Sequence, residues 1–454
     1  MTAAGAVRLG PALAARGDAV LLLPGRDVAG AALAARVPGA ALAPALGAGA
    51  ALCLDDPAEL IGALAALDGR AARLLLLAPG LPAAPVSELM AAAGLSALVS
   101  RREDLPGAIA PEAAFAEGSA PAPQETDWVL TTSGTTGTPK MVRHRLAGLA
   151  RTVKPAPEGA APVWGLVYEP TRFAGMQVVL QALLGGGRLA AAPEGTPISD
   201  RLAHFAASGV THLSATPTLW RRILMDPAAA GLAPGQITLG GEIADDAVLG
   251  ALARRFPEAR IRHIYASTEA GVGFSVRDGR AGFPESYLAG APGGAALKIR
   301  GERLWLRPPG MPPEPIGPGP ARDPDGFIDS GDRVAVEDGR VRFLGRQSSA
   351  VNIGGAKIQP EEIERLVNAH PEVALARVAV RPSPITGALL TLSVVPVAAP
   401  EDPAALRRSL AAYCREHLPR EARPAKITIA GPEALDEGIT AAGKIVRAPA
   451  GGEA

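Results

Sequence analysis

The run "TTSGTTGTPK", residues 131–140, places hydroxyls at Thr131, Thr132, Ser133, Thr135, Thr136 and Thr138 beside Gly134 and Gly137 and ends on Lys140. Loops of this composition wrap polyphosphate, because hydroxyl and backbone N–H groups donate to phosphate oxygens and the lysine supplies charge. The apolar "WVL" in front of it reads as a strand that delivers the loop to a sheet end. A Walker-type phosphate loop requires G-x-x-x-x-G-K-[ST]. Counted from Gly134, Pro139 stands where the second glycine belongs and Met141 where the hydroxyl belongs. A Walker kinase or ATPase, which would release ADP, is therefore disfavoured.

Five further segments carry residue types suited to a nucleotide. "IYASTEAG" offers the aromatic face of Tyr265, the hydroxyl of Thr268 and the carboxylate of Glu269. An aromatic face can cover a purine, and a magnesium ion bridging phosphates wants a hard carboxylate oxygen such as that of Glu269. "LGGEI" places Gly240, Gly241 and Glu242 at the end of an apolar strand, while "DGFIDSGDRV" and "FLGR" present Asp332 and Arg346. Near the end, "GITAAGKIVRAP" presents Lys444. A positioned cation there would offset the repulsion between an attacking carboxylate and a phosphate.

In this order the motifs resemble those of the adenylate-forming superfamily, which includes acyl-CoA synthetases, peptide-synthetase adenylation domains and luciferase. The resemblance runs from about residue 90 to 447. It implies that Thr132, Ser133, Gly134, Thr135, Thr136, Gly137 and Lys140 hold the phosphates of ATP and that Gly240, Gly241 and Glu242 line the adenine pocket. It also implies that Tyr265 stacks on adenine, Thr268 contacts the α-phosphate, Glu269 holds Mg²⁺, and Asp332 and Arg346 reach the ribose. Lys444 would approach the substrate carboxylate and the α-phosphate, and Gly354 and Gly355 would admit a pantetheine arm.

The implied reaction joins a carboxylic acid to AMP, releases pyrophosphate, and passes the acyl group to a thiol, that of CoA first. Loading of an acyl carrier protein's phosphopantetheine is the alternative, and a non-catalytic nucleotide-binding descendant is a third reading. Two positions depart from the family pattern. Ser348 stands at the hinge in place of Asp or Lys, and the acyl-pocket segment "YEPTRFAGMQ" has Arg172 and Phe173 where a histidine is usual. The candidate pocket segments "FAGMQVVL", "HLSATPT" and "AGVGF" are small and weakly polar, which favours a monocarboxylic acid.

The elements that must position these residues follow from patterning. Residues 1–120 alternate Ala/Leu-rich helical stretches such as "PAELIGALAAL" with short apolar strands such as "AVLLLP" and "RLLLLAP", the mark of α/β layers with a parallel sheet. Later apolar strands end at polar turns, where open α/β sheets collect ligands. From about Gly290 the chain becomes β-like, with "EDGR" as a hairpin turn. We expect a large N-terminal domain over 1–345 with a β-rich subdomain. A small mobile α+β domain over 346–454 follows, with a hinge at 345–349.

Bulk properties narrow the function classes. With 45 basic and 45 acidic residues and 4% aromatics, neither a field nor a stacking platform for nucleic acid is present. Cys53 and Cys414 are too far apart in sequence to form a zinc-type spacing, which fits a reducing, cytoplasmic setting. No apolar run is long enough for a membrane span.

Overall fold

The computed structural model describes residues 7–431 except 121, 123, 133–138, 158, 160, 311, 354 and 384–386. Strands 19–23, 188–190, 163–166, 212–215, 236–240 and 260–267 form the parallel centre of an eight-stranded sheet, flanked by antiparallel edges 26–29 and 271–276. A six-stranded sheet runs 314–316, 141–145, 127–131, 73–76, 50–53, 97–100, parallel except at its first two strands. The α/β layering read from residues 1–120 is thus present, but its strands divide among three sheets, the third being the antiparallel pair 36–38 and 115–117.

Continuous apolar strands such as "ALVS" and "DWVLT" form because both faces of the six-stranded sheet are covered. Leu52, Leu74, Leu76, Trp128 and Leu130 face the largest core, while Ala51, Leu75, Leu77 and Val129 face a second one. Helix 57–67 packs into the larger core. It starts at Pro57 behind Asp56, whose carboxylate accepts from Ala58 N and Glu59 N, a sequence-encoded N-cap.

The β-like region is an antiparallel five-stranded sheet with order 283–284, 340–346, 328–337, 303–307, 296–300. "EDGR" turns where expected: Glu337 pairs with Arg340, and Asp338 and Gly339 take φ of 50° and 70°, as a type I′ turn requires. Residues 351–429 gather around a separate core built from Val351, Ile363, Val367, Leu390, Leu392, Val394, Leu406, Leu410 and Ile427. It holds a three-stranded sheet, 373–383, 387–396 and 426–429, with helices 360–368 and 403–417.

One buried carboxylate ties the strand before the hydroxyl-rich loop to the N-terminal segment. Asp68, 2% exposed, accepts from Leu9 N at 2.9 Å and from Trp128 Nε1 at 3.3 Å, with Arg8 at 3.7 Å. Burial pushes its pKa up against those partners. Asp68→Ala orphans two buried donors at about 1–3 kcal/mol each, whereas Asp68→Asn keeps an acceptor. Urea unfolding should show a large drop in midpoint for the first and a small one for the second.

Candidate active site

Strands 127–131 and 141–145 are antiparallel neighbours with Thr131 opposite Met141, so residues 132–140 are the loop of a hairpin. Its mouth is closed by Thr132 N donating to Lys140 O at 2.8 Å. Lys140 is exposed at the rim. Ser133, Gly134, Thr135, Thr136 and Gly137 lie outside the described residues, as do Gly354 and Lys444.

The segments "LGGEI" and "IYASTEAG" meet at the carboxyl ends of neighbouring parallel strands, with Gly240 paired to Ile264. Gly241 has φ of +83°, a conformation that disfavours a side chain and turns the chain sharply off the sheet. The turn brings Glu242 to Thr218 N, which donates to Oε2 at 3.1 Å. Tyr168 donates to Gly240 O at 3.4 Å, and burial together with the Glu242 charge pushes its phenol well up.

Tyr265, Asp332 and Arg346 come from three strands and form one chain of charge-assisted bonds. The Tyr265 hydroxyl donates to Asp332 Oδ2 at 2.5 Å, and Arg346 Nε forms an ion pair with Asp332 Oδ1 at 2.9 Å. The Tyr265 ring lies parallel to Phe274 and Phe343, with centroids 5.2 and 5.3 Å away. Asp332 before all else, then Tyr265, Glu269 and Glu361, raise the Arg346 guanidinium above its usual range. Glu269 therefore shares this neighbourhood, in the turn that follows strand 260–267, next to Thr268.

Arg346 also contacts the 347–349 turn and the start of helix 360–368. Its carbonyl accepts from Gln359 Nε2 at 3.0 Å and Ser349 Oγ at 2.9 Å, and that hydroxyl lies 2.6 Å from Glu361 Oε1. Ser348 sits in the short 347–349 turn between these groups. Gly355 is an exposed hairpin tip joining strands 351–353 and 356–358.

Three residues make contacts at this site that the sequence reading did not assign, Arg172 having been singled out only as a departure in the acyl-pocket segment. Arg172 Nη1 donates to both the carbonyl and the hydroxyl of Thr131, and its partner Glu169 is buried. The E-x-x-R spacing in "YEPTRF" is the signal that was available. His144, buried on the far stem of the hairpin, stacks against Phe173 at 5.7 Å and lies beside the Thr268 backbone. Arg262 lies in one cross-sheet row with Leu166, Ser214 and Thr238. Its Nε donates to Thr238 Oγ1 at 3.2 Å, and burial followed by Arg277 and Arg260 pushes its pKa down. Among the described residues no carboxylate pairs with it.

No ligand-holding cluster of three metal-type side chains exists among the described residues. A magnesium ion here would take most of its oxygens from nucleotide phosphates and water, with the partly exposed Glu269 carboxylate as the fitting protein donor.

This arrangement of strand-end loops, a linked Tyr–Asp–Arg set and a second small unit defines a class. The profile of the AMP-binding enzyme family matches residues 39–314, and that of the AMP-binding enzyme C-terminal domain matches 362–444. The chain belongs to the AMP-binding enzyme family. Among curated relatives, the 2-succinylbenzoate–CoA ligase of Salmonella typhimurium is 28% identical over 262 residues, 56% of this chain and 54% of that enzyme. A probable non-canonical nonribosomal peptide synthetase of Salinispora arenicola is 31% identical over 328 residues, 64% of this chain but 4% of its own length. The chain thus spans about half of the first and a small part of the second. Among solved structures, an E. coli MenE variant with bound OSB-AMS superposes with TM-score 0.72 at 24% identity, covering 92% of this chain and 93% of that one. The anthranilate CoA ligase AuaEII with anthranoyl-AMP gives 0.78 at 17% identity, covering 97% and 96%. These two likenesses show that the fold is shared from end to end. Among the described residues, no helix is long and apolar enough to cross a membrane.

His144 gives the site a pH signature. Burial lowers its pKa from the ordinary 6.5 to about 4, and the Thr268 backbone offsets only part of this. Below pH 6.5 the unfolded chain takes up a proton that the folded chain refuses until about 4, so stability falls across that window and then levels. The loss is on the order of 3 kcal/mol. His212, also lowered to about 4, contributes in the same direction. Melting temperature recorded from pH 7 to 4 should fall less steeply in His144→Gln than in the parent.

Proposed function

We propose that the chain activates a carboxylic acid with ATP and transfers the acyl group to CoA. A carboxylate oxygen bonds to the α-phosphorus, the α–β phosphoanhydride bond breaks and pyrophosphate leaves. The CoA sulfur then attacks the acyl carbon, its proton passes to solvent, and the bond to AMP breaks. The observation that carries this reading is the Tyr265–Asp332–Arg346 chain beside the strand-end turns of Gly241 and Thr268. The two oxygens of Asp332 suit ribose hydroxyls as acceptors, with the Arg346 guanidinium paired to one of them. The loop from Thr132 to Lys140 grips the departing pyrophosphate, Glu269 ligates Mg²⁺, and Mg²⁺ supplies charge neutralisation on the phosphates. A cytoplasmic enzyme working from free ATP and CoA fits this chemistry.

In this reading residues 1–345 bind the substrates and residues 346–454 turn about 345–349 between the two half-reactions. Gly345 supports a hinge there: its φ is +139°, and a Cβ would come within 3 Å of Glu361 and Gln359. Lys444 acts in the first half-reaction, and Gly354 and Gly355 border the thiol path in the second. Acid-dependent ATP–pyrophosphate exchange, followed by CoA consumption, tests the assignment. Lys444→Ala should abolish exchange while thiolysis of supplied acyl-adenylate survives. Equal loss of both steps would sink the two-stage scheme, and acyl transfer only to holo carrier proteins would replace CoA as the acceptor.

For the acid, Arg262 argues for a second anionic group, the reverse of the expectation from pocket composition. It lies two residues before Ile264, about 7 Å down the strand from the Gly240–Ile264 pair. Its neighbours there are cations, and a half-buried guanidinium without a carboxylate partner is a natural anion receptor. The relatives named 2-succinylbenzoate–CoA ligases fit that reading. Arg262→Gln should cut kcat/KM for a dicarboxylic acid about 10–100-fold and leave its monocarboxylic analogue nearly unchanged. Equal effects on both acids in the exchange assay would remove Arg262 from the pocket.

A further inference from the structure

The turn 169–172 and the helix 173–184 that follows it make contact with both stems of the hydroxyl-rich hairpin. On one stem, Arg172 Nη1 donates to Thr131 O at 3.0 Å and to Thr131 Oγ1 at 2.8 Å. Thr131 is the last residue of its strand and is 1% exposed. On the other stem, the Phe173 ring packs on the His144 ring. The guanidinium is itself held. Its Nε lies 3.2 Å from Glu169 Oε2, while Glu169 Oε1 accepts from Thr171 N at 2.7 Å and Thr171 Oγ1 at 2.5 Å. Glu169 is 3% exposed and Thr171 wholly buried. The turn is also pressed onto the helix: a Cβ at Gly175 would meet Glu169 O at 2.2 Å.

An ion pair this deep is a poor device for stability. Desolvation of both charges cancels much of their attraction, and apolar residues of similar volume would serve a core as well or better. What the pair does give is direction. A planar guanidinium whose Nη1 donates to both the carbonyl and the hydroxyl of Thr131, with Glu169 as its ion-pair partner, helps fix the peptide by which the chain leaves the sheet. The next residue, Thr132, closes the loop mouth on Lys140. An error of orientation at Thr131 is therefore carried to Thr132 and Lys140, the described ends of the loop.

We propose that Arg172 is a positioning residue for the nucleotide. Acting through Thr131, it sets where the 132–140 loop meets the phosphates of ATP, with Glu169 holding its guanidinium in register. The proposal rests on the reading of that loop as the ATP loop. It also gives the departure of "YEPTRF" from the family pattern a use, since arginine here ties the acyl-side helix to the phosphate loop.

The test uses the full chain and two readouts, the Kd of Mg·ATP by calorimetry and the separate KM values of ATP and acid in pyrophosphate exchange. Arg172→Ala is expected to raise Kd and KM for ATP about 10–100-fold, as a misplacement near 1 Å does, with the KM for the acid changed less than about threefold. Arg172→Lys keeps a donor for the Thr131 carbonyl but cannot span Thr131 and Glu169, so it should recover part of the loss. Thr131→Val removes the hydroxyl half of the clamp and should weaken ATP alone by a smaller factor. If Arg172→Ala does not fold, Arg172→Lys and Thr131→Val carry the test. Unchanged ATP Kd and KM in the folded variants, or equal rises for ATP and acid, would overturn the proposal. If the parent binds Mg·ATP but no acid supports exchange, acid activation fails while the Kd series still decides the role of Arg172. A parent that does not bind Mg·ATP overturns both.

Discussion

The Asp332 carboxylate is the point through which three parts of the chain are joined. One oxygen takes the hydroxyl of Tyr265 from the eight-stranded sheet, and the other takes the guanidinium of Arg346 at the end of the five-stranded sheet. The carbonyl of that same arginine accepts from Gln359, at the threshold of the C-terminal core. Charge-assisted bonds of this kind are roughly twice as strong as neutral ones. Neutralising Asp332 would thus release a tyrosine, an arginine and a domain threshold together. The position of Tyr265 is fixed twice, by this bond and by the parallel Phe274 and Phe343 rings.

That junction is possible only because the sheets are rigid on the scale of a hydrogen bond. In the six-stranded sheet alternate residues enter different cores, so a register slip of one residue would exchange Leu74 and Leu76 for Leu75 and Leu77 between two packed layers. The strand end that carries Thr131 is held in place by this double burial. Polar and irregular chain is confined to the turns beyond them, where a nucleotide is expected.

Much of this was legible in residue types. "EDGR" encodes its own turn, "DPAEL" its own helix start, and the alternation of apolar strands and Ala/Leu helices declares α/β layers. Tyr265, Asp332 and Arg346 were found by motif, because each sits in a short run whose order along the chain is informative. Arg172, His144 and Arg262 were not. Their partners Thr131, Phe173 and Thr238 lie 41, 29 and 24 positions away along the chain, set there by sheet register and helix packing rather than by any local pattern. A charge in an arginine-rich sequence looks like a solvated one until the fold shows what it faces. The division of residues 19–100 among three sheets was equally hidden, since an apolar strand does not declare which sheet it joins.

The hinge shows how the same contacts bear on movement. Around Gly345 the two units touch through a few discrete polar bonds: Ser349 with Glu361, Gln359 with the Arg346 carbonyl, and, farther off, Asn368 Nδ2 with Asp245 Oδ2 at 3.5 Å. Asp245 is already neutralised by Arg221 and caps helix 246–255, so losing Asn368 would not leave it as an unpaired buried charge. None of the three contacts is an interlocked apolar surface, and each donor or acceptor could exchange its partner for water. Leu375 and Val395 also pack against Met225 of helix 217–225, so a rotation about 345–349 would part this small apolar contact as well as those replaceable bonds.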